Sequence, residues 1–175
     1  SYSAALDAVV SALSKNTNDA DFVRPCLHVV SHFVFGHGNP PELARKDRAI
    51  AGGALEAIVA VLRLHSGNSA VAKAGATAMH TICSGFGADS VDIPRARSFH
   101  AGWLEVLTGV VRDTSHGWIT LFAAWRAILV LVNTKTSEGL DPVALAARRR
   151  RVFELGLLPD CVRAAAANWG DADEG

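Results

Sequence analysis

An all-α fold is predicted for this 175-residue chain, made by stacking copies of one multi-helix unit into an elongated right-handed superhelix. Three observations predict it. Apolar residues recur at helical spacing, as at Leu6, Val9, Val10 and Leu13, and again at Leu55, Ile58, Val59 and Leu62. Alternating strand patterns bounded by hairpin turns are absent from the sequence. Finally, one segment recurs: "ALDAVVSAL" from Ala5, "ALEAIVAVL" from Ala54 and "WLEVLTGVV" from Trp103 start 49 residues apart. Each has leucine second, a carboxylate third and apolar residues in the last two places. A unit of this kind cannot bury its apolar face alone, and stacking on its neighbours buries it.

Each of these segments is followed by a polar break: "SKNTNDAD" from Ser14, "LHSGNS" from Leu64 and "RDTSHGW" from Arg112. Their Asn, Asp, Ser and Gly residues end one helix and cap the next. A longer helix is expected after each, over roughly Phe22–Phe35, Ser69–Ser84 and Trp118–Thr134. Loops rich in Gly and Pro come next, then short polar helices in "ELARKDRAI", "RARSFH" and "VALAARRRRVFEL". These lead to Gly53, Gly102 and Gly156, each expected at a sharp turn into the next recurring helix. About ten helices are predicted, in a single domain over 1–170 with units at 1–38, 39–87, 88–139 and 140–170 and an acidic tail at 171–175. Leu6, Leu55, Leu104 and Leu158 should fill equivalent buried sites, with Val10, Val59 and Leu107 close by.

Half the residues are apolar, 19% are charged, and seventeen basic side chains balance seventeen acidic ones. A chain of this composition can fill a core, and its charge balance gives no global reason for nucleic acid or an anionic membrane to bind. The longest apolar run, "ITLFAAWRAILVLV", is interrupted by Arg126, so no membrane-spanning helix is expected. No basic-then-apolar leader pattern opens the sequence, so no signal peptide is expected. Cys26, Cys83 and Cys161 are odd in number and far apart, and read as free thiols in a reducing compartment. The expected location is cytoplasmic, with the nucleus or a cytoskeletal assembly as alternatives.

The stretch "RKDRAIAGGALEAIVAVLRLHSGNSAVAKAGATAMHTICSG", Arg45 to Gly85, resembles an armadillo repeat from end to end. It has a basic and apolar first helix, a Gly-Gly turn, a second helix of the "ALxxLVxLL" type and a third carrying "AxxALxxL". The resemblance implies an armadillo-like solenoid whose third helices line a concave groove. It further implies binding of an extended peptide there, in many members through a Trp and an Asn four residues apart. Here those places hold His28, Thr77 and Arg126, then His32, Thr81 and Val130, and none keeps the Trp or the Asn. Lysine-rich signals read through stacked tryptophans are therefore not the expected ligand.

One turn earlier on the same face lie Arg24, Lys73 and Phe122, because residues four apart are helix neighbours. The nine expected groove residues are Arg24, His28 and His32, then Lys73, Thr77 and Thr81, then Phe122, Arg126 and Val130. None is acidic, and the arginine fork suits carboxylate or phosphate. His28 and His32 have the spacing at which two imidazoles share a metal, but no third ligand accompanies them, so no metal is expected. His37, His65, His80, His100 and His116 read as capping or solvated residues. Four consecutive arginines, Arg148 to Arg151, point around the whole helix circumference and read as a solvated face partly paired with Glu154 and the acidic tail.

No glycine-rich phosphate loop follows a strand, and no nucleophile elbow or carboxylate pair is evident, so neither catalytic residues nor a cofactor is expected. The expected function is a non-catalytic interaction module or scaffold that binds an extended acidic or phosphorylated protein segment. The alternative is a structural subunit that self-associates end to end or packs into a larger complex. In that case Leu157, Leu158 and Trp169 should lie uncovered at one end.

Overall fold

The computed structural model describes residues 2–36, 40–84, 92–113, 115–132 and 141–169. Among the described residues there are ten helices and no strand. They are α1 (Tyr2–Lys15), α2 (Ala20–Val34), α3 (Pro40–Ala51), α4 (Ala54–His65), α5 (Ser69–Cys83), α6 (Asp92–His100), α7 (Trp103–Arg112), α8 (Trp118–Val132), α9 (Pro142–Glu154) and α10 (Leu157–Trp169). The expected tail at 171–175 lies outside the described residues, as do His37 and the side chain of Trp169.

The polar breaks work as caps. The Asp19 carboxylate accepts from the backbone N–H groups of Asp21 and Phe22, and the Asn68 side-chain amide oxygen does the same for Ala70 and Val71. Both satisfy donors that an α-helix start leaves unpaired. Gly53, Gly102 and Gly156 have φ of 83°, 87° and 66°, and among the described residues no non-glycine has positive φ. The left-handed turn lets the chain reverse between a short helix and the next without a Cβ clash.

Helices related by the recurring segment pack on each other. Contacts link α1 to α4, α4 to α7 and α7 to α10, while α2 meets α5 and α5 meets α8. One hydrophobic cluster fills the space between them, and it includes Leu6, Leu55 and Leu104 together with Val10, Val59 and Leu107. Leu158, expected beside them, is 43% exposed, and its neighbour Leu157 is buried at 1% instead. The residue directly after the turning glycine is buried each time (Ala54, Trp103, Leu157), so the backbone register is kept. The next residue is covered at Leu55 and Leu104 but not at Leu158. Leu157 thus departs from the expectation of an uncovered end, and Leu158 agrees with it.

The carboxylate in the third place of each recurring segment has a partner in the short helix that follows. Arg48 Nε donates to Asp7 at 2.9 Å, Arg97 Nη2 to Glu56 at 2.7 Å, and Arg151 Nε to Glu105 at 2.9 Å. A second set clamps the glycine turns: Arg63 Nη2 reaches the Ala101 carbonyl at 3.0 Å, and Arg112 Nη2 the Leu155 carbonyl at 2.6 Å. A third set joins the polar breaks, with His65 Nε2 on the Thr17 carbonyl and His116 Nε2 on the Ser66 carbonyl, both at 2.7 Å. A carbonyl only accepts, so Nε2 carries the proton in both rings. These exposed ion pairs add little stability singly. Their repetition sets which helix faces which.

Two expectations about polar residues need correction. His116 is 1% exposed and His65 half-buried, so they are links between turns and not solvated residues. In the arginine run, Arg150 and Arg151 do pair with Glu154, but Arg148 is buried, not solvated. Consecutive helix positions are 100° apart, so one of four must turn inward when the helix packs on α8 and α10.

Candidate functional site

The three long helices α2, α5 and α8 lie side by side, and the residues one turn apart on each determine what their common surface offers. Arg24, His28, His32, Lys73, Phe122 and Arg126 are exposed, and Thr77 and Val130 are half-buried. Thr81 departs from the expectation: it is buried at 7%, because its hydroxyl turns toward α2 and lies 3.3 Å from Ser31 Oγ. It ties two helices together and is only marginally open to a ligand.

Two openings lie on this surface. The larger, about 540 Å³, is bounded by His32 and Phe35 from α2 and its end, by Thr77, His80 and Thr81 from α5, and by Arg126 from α8. The smaller, about 160 Å³, lies between α5 and α8 and is bounded by Lys73, Thr77, His80, Ile119, Phe122 and Arg126. Thr77, His80 and Arg126 border both. The structure therefore brings His32, Lys73, Thr77, Thr81, Phe122 and Arg126 to one place, and leaves Arg24, His28 and Val130 outside both openings.

His80 is the residue that the sequence reading missed. It was expected to cap or be solvated, yet it is half-buried at the junction of the two openings. Its signal was available: His80 follows Lys73 by seven residues and Thr77 by three, so all three share a helix face. Burial first, then repulsion from Arg126 and Lys46, pulls its pKa down to about 4 from 6.5. The ring is neutral at pH 7. An unfolded chain takes up a proton at this histidine below about pH 6.5, and the folded chain refuses it until about pH 4. The unfolded state then binds more protons, so stability should fall as pH drops through that window. His80→Gln should flatten that part of a melting-temperature profile. An unchanged slope would show that His80 titrates normally.

The electrostatics of the openings are one-sided. Among the described residues no Asp or Glu lines either one. Arg126 has no ion-pair partner among the described residues, and its guanidinium carbon stands 6.0 Å from the centroid of the Phe122 ring. The hydroxyl protons are already committed: Thr77 Oγ1 donates to the Lys73 carbonyl and Thr81 Oγ1 to the Thr77 carbonyl, both at 2.8 Å. What remains to meet a ligand is the set of N–H donors on Arg126, Lys73, His32 and His80.

The thiols offer no nucleophile of ordinary reactivity. All three cysteines are free; burial pushes Cys83 up to about 12 and Cys161 up to about 11, and also raises Cys26. Among the described residues no three His, Cys, Asp or Glu side chains are grouped to hold a metal ion, and no helix is long and apolar enough to cross a membrane. The chain matches no family model, no curated protein sequence and no solved structure.

Proposed function

We propose that this chain is an armadillo-like α-solenoid, a right-handed superhelix of three-helix repeats. It acts as a non-catalytic interaction module that binds an extended acidic or phosphorylated protein segment along α2, α5 and α8. The observation that carries the reading is the shared surface of those helices, where Lys73, Arg126 and two histidines surround openings with no carboxylate in their walls among the described residues. A surface of one sign selects ligands of the other, chiefly through on-rate and orientation. A single exposed pair stabilises weakly, so affinity needs apolar anchors as well, and Phe122 and Ile119 at the smaller opening and Phe35 at the larger are exposed.

The reading is tested with a fluorescein-labelled heptaglutamate peptide in an anisotropy titration. Binding should weaken steeply between low and physiological salt, and should weaken again in the Lys73→Glu, Arg126→Glu double variant. Salt-indifferent binding, or none at low salt, would overturn it. A second reading is favoured by a separate observation: Leu158 and Val162 on α10 are 43% and 69% exposed, and Phe22 and Val29 on α2 are open as well. They suit a structural subunit that packs through its ends. Self-association abolished by Leu158→Asp, in a protein that ignores the acidic peptide, would favour that alternative.

A further inference from the structure

We propose that the opening between α5 and α8 around Arg126 is an anchoring site for one phosphorylated side chain of an extended protein segment, with an apolar side chain two residues away seated on Phe122. This rests on the reading of the α2–α5–α8 surface as an acidic-segment binder and goes further by naming the ligand group and its place.

The donors determine the ligand group. Arg126, on α8, carries a planar fork with no carboxylate to occupy it among the described residues. Lys73 and His80, on α5, face the same opening, and neither ring nitrogen of His80 has a hydrogen-bond partner among the described residues. Thr77 between them has its hydroxyl proton on a backbone carbonyl, so it cannot serve as a donor without breaking that bond. The site thus offers N–H groups from three side chains on two helices. A carboxylate has two oxygens, and the arginine fork alone satisfies both. A phosphoryl group has three oxygens and a charge between −1.5 and −2 at pH 7. It can rest one edge on the fork and still accept from Lys73 and His80.

The surroundings give the charge its weight. Burial and two nearby cations keep His80 uncharged. The Glu42 carboxylate packs against Gly36, which borders the larger opening and not the one between α5 and α8, and its charge acts on Lys46. An arriving dianion therefore meets Arg126 and Lys73 without displacing an acid of the described residues, and favours protonation of His80.

The apolar seat determines the spacing. Phe122 lies four residues before Arg126, about 6.0 Å along α8, and is 48% exposed. Ile119, 62% exposed, borders the same opening. Along an extended segment, residues two apart point to the same side and are about 6.6 Å apart. Where the segment runs parallel to α8, a phosphorylated residue on Arg126 puts the side chain two positions away over the Phe122 ring. The Arg126 guanidinium carbon stands 6.0 Å from the centroid of that ring, so one ligand can reach the fork and the ring together.

The probe is a fluorescein-labelled heptapeptide with phosphoserine third and leucine fifth, in an otherwise Gly/Ala sequence, titrated against the full chain. Replacing phosphoserine by aspartate, or leucine by alanine, should each weaken binding roughly five- to tenfold. Arg126→Gln should do the same, while Lys15→Gln, on α1, should change affinity less than about twofold. Arg126 is exposed, so the variant should keep its helical circular dichroism. In the wild type, the phosphopeptide should shift the His80 ring resonances, a readout independent of any substitution. Equal affinity for the phosphoserine and aspartate peptides, or an unmoved His80 ring at saturation, overturns the anchoring site. Heptaglutamate binding distinguishes the two failures: if it persists, the broader reading stands without the anchor, and if it too is absent, both fall.

Discussion

Leu55→Ala should destabilise the protein by ~2–5 kcal/mol, whereas Leu158→Ala, at the place the sequence marks as equivalent, should cost under about 1 kcal/mol. Leu55 is fully buried on α4, which packs against α1, α2, α3, α5, α6 and α7, so its loss leaves a cavity that the surrounding helices cannot close without moving. Leu158 is 43% exposed and loses little contact. Urea denaturation of the two variants measures the contrast. Hydrogen exchange adds a spatial test, because α9 and α10 are not among the helices that pack closely on α4. Loosening in Leu55→Ala should be greatest in α4 and the helices that touch it, and least in α9 and α10. Equal costs for the two substitutions would mean that α10 is packed differently from the structure described, and uniform loss of protection would mean that the stack unfolds as one unit.

A second contrast concerns two glycines seven residues apart. Gly102→Ala should cost ~1–3 kcal/mol, and Gly109→Ala should stabilise by ~0.4–1 kcal/mol. At Gly102 the backbone has φ 87°, and an added Cβ would lie 2.6 Å from Arg63 Nη2, the group that clamps the Ala101 carbonyl. The substitution strains the turn and pushes the clamp away. At Gly109, within α7, nothing lies within 4 Å of an added Cβ, so alanine only removes freedom from the unfolded chain. Thermal melts of both variants decide the matter. If Gly102→Ala melts with Gly109→Ala above the wild type, the turn does not require a left-handed residue.

Much of the fold was legible in the chain because its signals are local. Helical periodicity, Asn and Asp caps and turning glycines act within a few residues of one another, and the ten helices begin and end close to where those signals lie. The 49-residue recurrence located the equivalent buried leucines in the first three segments for the same reason. Of the nine candidate site residues, six border the two openings, because the spacing along one helix determines which side chains share a face.

What the sequence by itself determined, then, is where the helices are, which residues cap and turn them, and which face of each long helix is shared. Only the tertiary structure decided what covers a face and what meets across it. Leu158 has the same local sequence signal as Leu55, and it is exposed because burial depends on a neighbour and not on the residue itself. The carboxylate in each recurring segment carries no local signal of its partner, and only packing brings Arg48, Arg97 and Arg151 to it from the following short helix. Thr81 turned out to bind Ser31 across a helix boundary, and His80 to stand beside Arg126, contacts that span about fifty residues of chain. Periodicity records a residue's angle around its own axis; the distance to the next axis, and so the dielectric and charge a side chain meets, is determined by packing between helices.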